Sequence, residues 1–264
     1  MDYIDTTAVI APAIKTHFWK DLYKSFQNSG APFHLILVGH IKPNFNLPRN
    51  MIWIECSLSA AQCAEIAYRY VYKNLPDVKY IVNIADDLLI PSNFLKDNIQ
   101  FYEAQKKKLK TEALLVGPIC LVQNGMENLM AWKDGGPTLL VTNFTEIKTS
   151  KKIGGIDRRF EAIYWDCDRI MRVHEMGGKV VVGSSEQLVP IQEREHVPGL
   201  YSKYQKTDKT FLDILWSVTE GIGNLTHCCS LNQQKNRIFE KILLIERKDQ
   251  TIEYTNEELG KYYE

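Results

Sequence analysis

The chain has no run of about 18 apolar residues, so no membrane-spanning helix is expected. It has no surplus of either charge: Lys and Arg number 32, and so do Asp and Glu. A main partner made of nucleic acid favours a basic surplus, so none is expected. The six cysteines, Cys56, Cys63, Cys120, Cys167, Cys228 and Cys229, include no C-x-x-C pair. That argues against zinc or disulfides and for buried, reduced thiols in a cytosolic protein. The opening stretch "MDYIDTTAVIAP" carries two acids and no basic segment, unlike a secretory leader. A cytoplasmic location is therefore expected, with peripheral membrane contact left open. There is no internal repeat and no low-complexity stretch.

What is present suits a soluble α/β protein. The 264 residues are 45% hydrophobic and 24% charged, enough for one large domain or a domain with an appendage. Strand and helix signals alternate. "TAVIAPAI" (7–14) reads as a strand, followed by a helix that Thr16 can cap and that Asn28-Ser29-Gly30 stops. "FHLILVG" (33–39) and "MIWIEC" (51–56) are strands. Ser59-x-x-Gln62 is a capping-box pattern that opens a helix to about Asn74. "YIVNIA" (80–85) is a fourth strand, and Pro91 is placed to start a helix to about Lys108. "ALLVGPICLV" (113–122) is another strand. Residues 123–150 look like loop and edge-strand material. A helix over 166–176 is closed by Gly177-Gly178, and a strand follows over 179–183. This order predicts an open, mostly parallel twisted sheet flanked by helices. Residues 1–220 are expected to form that domain, and residues 221–264 a C-terminal helical extension.

The segment "VKYIVNIADDLLIP" raises an electrostatic problem, because Asp86 and Asp87 adjoin at the end of a buried strand. Like charges there cost stability unless something neutralises them. In open α/β sheets, ligands bind beyond the carboxyl ends of the strands. A divalent cation held by oxygen ligands is one answer, and a simple turn is the other.

A second segment carries more information. "GGIDRRFEAIYWDCDRIMRVHEMGG" (154–178) has Gly-Gly-x-Asp, an aromatic stretch and acids at a helix start. With "ADDLLIP" it resembles the GT-A glycosyltransferases, nearest to the inverting glycosyltransferase family 2. The resemblance spans about residues 6–216. It implies a nucleotide-sugar donor such as a UDP- or GDP-sugar, Mn²⁺ or Mg²⁺ as cofactor, and a glycan or other hydroxyl as acceptor. It also implies Asp87 as metal ligand on the donor diphosphate, Asp86 against the donor sugar or ribose, and Pro12 at the nucleotide pocket. His196 falls where such enzymes place a further metal or diphosphate contact. Asp166 matches the general base, although a helix N-cap role fits Asp166 or Asp168 equally well. Gly155, Trp165 and Asp168 fall on the acceptor side, where Trp165 stacks on a sugar or packs in the core.

The chain departs from the family pattern in several places. Ala85 replaces the first acid of the D-x-D motif, Gly39 and His40 stand where an acid reads the base, and Trp165 replaces the first acid of the later pair. Gln62 and Cys63 stand where Arg and Asn face the donor. These departures keep open a catalytically inactive, sugar- or nucleotide-binding protein. A nucleotidylyltransferase would need a Gly-rich basic loop after the first strand, and "APAIKTHFW" is not one. The C-terminal extension is open to three roles: self-association, covering the acceptor site, or touching a membrane.

Overall fold

A computed structural model describes residues 6–120, 130–131, 142–190, 200–218, 227–228 and 245–264. The first half runs β1 (Thr7–Pro12), α1 (Trp19–Gln27), β2 (Phe33–Gly39), β3 (Met51–Glu55), α2 (Ala60–Asn74), β4 (Tyr80–Asn83), β5 (Leu88–Leu89) and α3 (Phe94–Leu109). The second half runs β6 (Leu114–Cys120), β7 (Met130–Ala131), β8 (Asn143–Glu146), α4 (Ile147–Ile153), α5 (Trp165–Glu175), β9 (Lys179–Pro190) and α6 (Leu200–Leu215). It ends with β10 (Trp216–Val218), β11 (His227–Cys228), β12 (Ile245–Arg247) and a one-turn α7 (Asn256–Leu259).

The main sheet has the order β3-β2-β1-β4-β8-β6-β9-β5. β1 pairs in parallel with β2 and β4, β2 with β3, and β6 with β9. β8 runs against both β4 and β6. Successive side chains of a strand point to opposite faces, and both faces here are covered. Ala8, Ile10, Ile36 and Val38 enter one core with α2 and α5, while Val9, Ala11, Leu35 and Leu37 enter the other with α1 and α3. This explains why β1 and β2 read as continuous apolar runs.

Three sequence expectations change. First, β8 is an internal strand, whereas this region was expected to be loop and edge material. All four of its residues are buried although three are polar. Two of these polar side chains are satisfied: Thr145 donates to the Leu114 carbonyl at 2.7 Å, and Lys106 Nζ contacts both Glu146 oxygens at 2.9 and 3.0 Å, while Asn143 Oδ1 is buried without a partner among the described residues. Second, Pro91 does not start α3. The helix begins at Phe94, and the Ser29 carbonyl accepts from the N–H groups of Leu95 and Lys96. Third, Thr16 makes no side-chain cap; it opens a short 3₁₀ turn, Thr16–Phe18. The Ser59–Gln62 capping box is present as expected.

The helical extension expected over 221–264 includes 229–244, which lie outside the described residues. Residues 245–264 hold β12, which pairs with β10, and α7, which leads into a 3₁₀ turn. They pack onto the domain. Tyr254, Leu259 and Tyr263 join the α2 core, and Arg69 donates to the Tyr254 carbonyl, to Asn256 and to the Tyr263 hydroxyl. No helix among the described residues is long and apolar enough to cross a membrane.

The backbone just beyond β1 passes close to the end of β2 at Gly39. A Cβ built on Gly39 would lie 1.8 Å from the Ala13 carbonyl oxygen. Gly39→Ala is therefore expected to cost about 1–3 kcal/mol through forced backbone movement. Urea denaturation checks this, and an unchanged midpoint would show that the strand ends can part freely.

Candidate functional site

The carboxyl ends of β1, β2, β3 and β4 share one edge of the sheet, because these strands are parallel. α5 adds a helix start to that edge. Its C-terminal end meets the beginning of β9 through Gly177 (φ +73°) and Gly178, and β9 is parallel to β6. Its N-terminus therefore points the opposite way, toward the edge that carries Asp86 and Asp87. α2 also starts at this edge, where the Ala61 N–H donates to the Glu161 carbonyl at 3.1 Å. Ile14, Ile41 and Leu58, which follow β1, β2 and β3, are exposed.

Asp86 is buried, and one of its two oxygens is heavily engaged. Its Oδ2 accepts from the Ile14 N–H at 2.8 Å, the Lys15 N–H at 2.7 Å and Trp19 Nε1 at 3.1 Å. Burial pushes its pKa up. The bonds from Lys15, Trp19 and Ile14 oppose that shift, and the charge on Asp87 adds to it. Asp86 thus caps the β1–α1 turn from across the sheet, the task that Thr16 was expected to perform, and fixes the loop that follows Pro12. Asp87 points to a different partner. Its Oδ2 accepts from Lys15 Nζ, with the two side chains 11% and 31% exposed respectively. Sequence reasoning missed Lys15. The available signal was a lysine three residues beyond Pro12 at the end of β1.

Asp166 lies at the second position of α5 and is half-buried. Its Oδ1 accepts from the Cys167 N–H at 2.9 Å and from Cys167 Sγ at 3.5 Å. Oδ2 accepts no hydrogen bond from the described residues. Burial raises the pKa of this carboxyl, with the two Cys167 bonds pulling the other way. Desolvation therefore outweighs the helix N-terminus, which alone would lower basicity. The N-cap itself is Tyr164, a buried residue held at φ +63°. A bulky residue in the left-handed region is strained and must be held there by its surroundings. Asp208 of α6 supplies part of that restraint. Its carboxylate accepts from the N–H groups of Glu161, Ala162 and Ile163, at 2.9 Å for the last two. Asp208 was also missed, since nothing local in "KTDKTF" distinguishes it from a solvated helix acid.

The remaining expected residues occupy other kinds of places. Asp168 is fully buried; Arg172 Nη2 donates to its Oδ2 at 2.5 Å and Trp216 Nε1 to its Oδ1 at 2.9 Å. It anchors α5 within the core, so the acceptor contact expected of it has no open oxygen. Trp165 is buried edge-on against Tyr68, which matches the packing alternative. The Gly155 N–H donates to Glu253 Oε1 at 2.7 Å, and its carbonyl accepts from Arg172 at 2.7 Å. These groups join Arg69, Tyr254 and Tyr263 around a groove of about 630 Å³. His196 lies outside the described residues. No hydrogen bond or ion pair joins Asp166 to Asp86 or Asp87.

No protein-family model matches this chain, and no curated protein matches it in sequence. Solved structures do. TarS of S. aureus is 12% identical, with 80% of this chain and 40% of that chain covered and a TM-score of 0.55. The structural neighbours are GT-A glycosyltransferases and a nucleotidyltransferase. The fold is GT-A. This chain spans 40% of the length of TarS. A mutant Drosophila β1,4-galactosyltransferase 7, in complex with manganese, UDP-Gal and xylobiose, is 11% identical over 88% of this chain and 98% of that one, with a TM-score of 0.47. The 4-diphosphocytidyl-2C-methyl-D-erythritol synthase of Anaerococcus prevotii is 8% identical over 69% and 88%, with a TM-score of 0.39. The last two align too loosely to bear on the argument.

A GT-A fold with an acidic strand end implies a divalent ion, and the side chains at that end test the implication. Hard cations take several oxygen ligands. Here Ala85 supplies none, Asp86 Oδ2 is already filled by three N–H donors, and Asp87 is paired with Lys15. Among the described residues no three His, Cys, Asp or Glu side chains gather as a ligand set. Among the described residues this donor set is too sparse for a protein-held metal, and the cation it pairs with is Lys15.

The two aspartates therefore carry different loads. Asp86→Ala leaves three N–H donors without an acceptor and is expected to cost about 1–3 kcal/mol. Asp87→Ala removes a partly exposed pair and is expected to change stability by about 1 kcal/mol or less. Chemical denaturation of both variants checks the division, and equal losses would contradict it.

Proposed function

We propose that the chain is a glycosyltransferase that moves a sugar from a nucleotide-diphosphate donor, such as a UDP- or GDP-sugar, to a glycan or other hydroxyl acceptor. The observation that supports this reading is the shared edge of a GT-A sheet, which carries both Asp86-Asp87, just beyond β4, and the start of α5 with Asp166. The donor diphosphate would lie against the Pro12–Lys15 loop. Gly39 leaves no acid to read the base, and the exposed Ile14, Ile41 and Leu58 offer it an apolar surface instead.

The chemistry then needs a base and a leaving group. The acceptor hydroxyl is a poor nucleophile, and a carboxylate within hydrogen-bond reach takes its proton as the new C–O bond forms. Asp166 has the properties for that role. Its Oδ2 accepts no hydrogen bond from the described residues, its raised pKa makes it a stronger base than an ordinary aspartate, and Asp208 and Tyr164 fix its helix start. Attack from the face opposite the diphosphate breaks the bond to the leaving group and inverts the anomeric centre. A second reading, nucleotide binding without turnover, is favoured by one observation: Lys15 and Asp87 already satisfy each other.

Asp166→Asn separates the two readings. The variant is expected to keep nucleoside diphosphate binding and to lose turnover by about 10²–10⁴-fold. Turnover at the wild-type rate would reduce Asp166 to a helix-end residue. The pH profile gives an independent check. The base works ionised, so kcat/KM should fall as pH drops through the raised Asp166 pKa, above the ordinary 3.8. An acid limb at or below 3.8 would assign the base elsewhere.

A further inference from the structure

The Lys15–Asp87 pair lies where a GT-A enzyme would meet its donor diphosphate, and its geometry leads beyond the reading above while resting on it. Asp86 fixes the Lys15 backbone through the 2.7 Å N–H bond, so the origin of the side chain does not move. Among the described residues the ammonium pairs with Asp87 alone, and the Lys15 side chain is 31% exposed. A lysine head on a four-carbon stem carries three donors, so it can keep one carboxylate contact and turn another donor to a phosphate oxygen. The neighbouring Asp86 directs one oxygen to the N–H groups of Ile14, Lys15 and Trp19 and not to the Lys15 ammonium. Lys15 is thus the cation that this chain itself places at the strand end, in the loop that carries Pro12, and the carboxylates present do not make a metal seat.

We propose that Lys15 is the group that meets the donor's diphosphate, and that this chain binds nucleoside diphosphates without a divalent ion. Asp87 then serves as a positioning residue. It holds the ammonium at the strand end in the empty site and shares it with the phosphate when the donor arrives. The acidic strand end, which the motif marks as a metal seat, works in this chain as a lysine holder.

The test is calorimetric titration of the full chain with UDP and GDP, each in excess EDTA and in Mn²⁺. At least one nucleotide is expected to bind with the same affinity, within about twofold, under both conditions. Lys15→Met should weaken that diphosphate on the order of tenfold or more, as loss of a charge-assisted bond requires. It should leave the matching nucleoside, uridine or guanosine, unchanged, while Lys15→Arg should restore part of the loss. Because Lys15→Met leaves Asp87 unpaired, the double variant Lys15→Met/Asp87→Asn serves as a charge-neutral control of the same site. It should show the same diphosphate defect with a wild-type far-UV spectrum. Binding only in Mn²⁺ would overturn the proposal and leave the glycosyltransferase reading standing. Metal-free binding that Lys15→Met and the double variant do not weaken would overturn it as well. No binding of either nucleotide under either condition would remove the glycosyltransferase reading itself, and the proposal with it.

Discussion

The site depends on one carboxylate oxygen. Asp86 Oδ2 gathers two backbone N–H groups and an indole N–H from the turn that follows β1. This single contact ties the end of β4 to the β1–α1 loop. It sets where Lys15 begins and caps a helix entry that has no side-chain cap of its own. Without it the loop would have three unmet donors beside a buried strand end, and a buried unmet donor is costly. Asp208 repeats the device on the other side of the site, where its carboxylate binds three successive N–H groups ahead of α5. One acid thus fixes the loop after β1 and another the loop ahead of α5.

The acids of this region sort by how completely they are engaged. Asp86, Asp157, Asp168 and Asp208 are buried and hydrogen-bonded to backbone N–H groups, Arg or Trp. They hold the architecture. Among the described residues Asp87 has one partner, the partly exposed Lys15, and Asp166 has one oxygen without a hydrogen bond and a pKa raised by burial. Groups held in place but not fully satisfied are the ones able to act on a ligand. The same sorting explains why neighbours in sequence differ in role: Asp166 and Asp168 are two residues apart, and only Asp168 turns into the Arg172–Trp216 contact.

Much of the fold was legible, because β1, β2 and α2 announce themselves through apolar runs and the Ser59–Gln62 box. The strand end at Asp86-Asp87 and the helix start at Asp166 were legible as motifs, and they fall on one edge. What stayed hidden were the non-local partners. β8 carries Asn, Thr and Glu, and distant partners (Lys106 and Lys148 on Glu146, the Leu114 carbonyl on Thr145) offset part of the cost of burying them. α3 takes its cap from Ser29, some 65 positions away, rather than from Pro91 next to it. Lys15 and Asp87 are 72 positions apart, as are Lys15 and its Asp86 anchor within one residue. No local pattern encodes such pairs. Nor does local spacing show that Asp168 and Trp165 are buried, which follows from Trp216 and Tyr68 packing against α5.

The central claim is that a nucleoside diphosphate binds at the edge where β1, β4 and α5 converge. The most direct measurement is a crystal structure with the diphosphate bound. The account predicts density for the two phosphates within hydrogen-bond reach of Lys15 Nζ, the base against Ile14, Ile41 or Leu58, and Asp166 facing the open side. Density in the groove beside Arg69 and Tyr254, with the Lys15–Asp87 pair untouched, would contradict it.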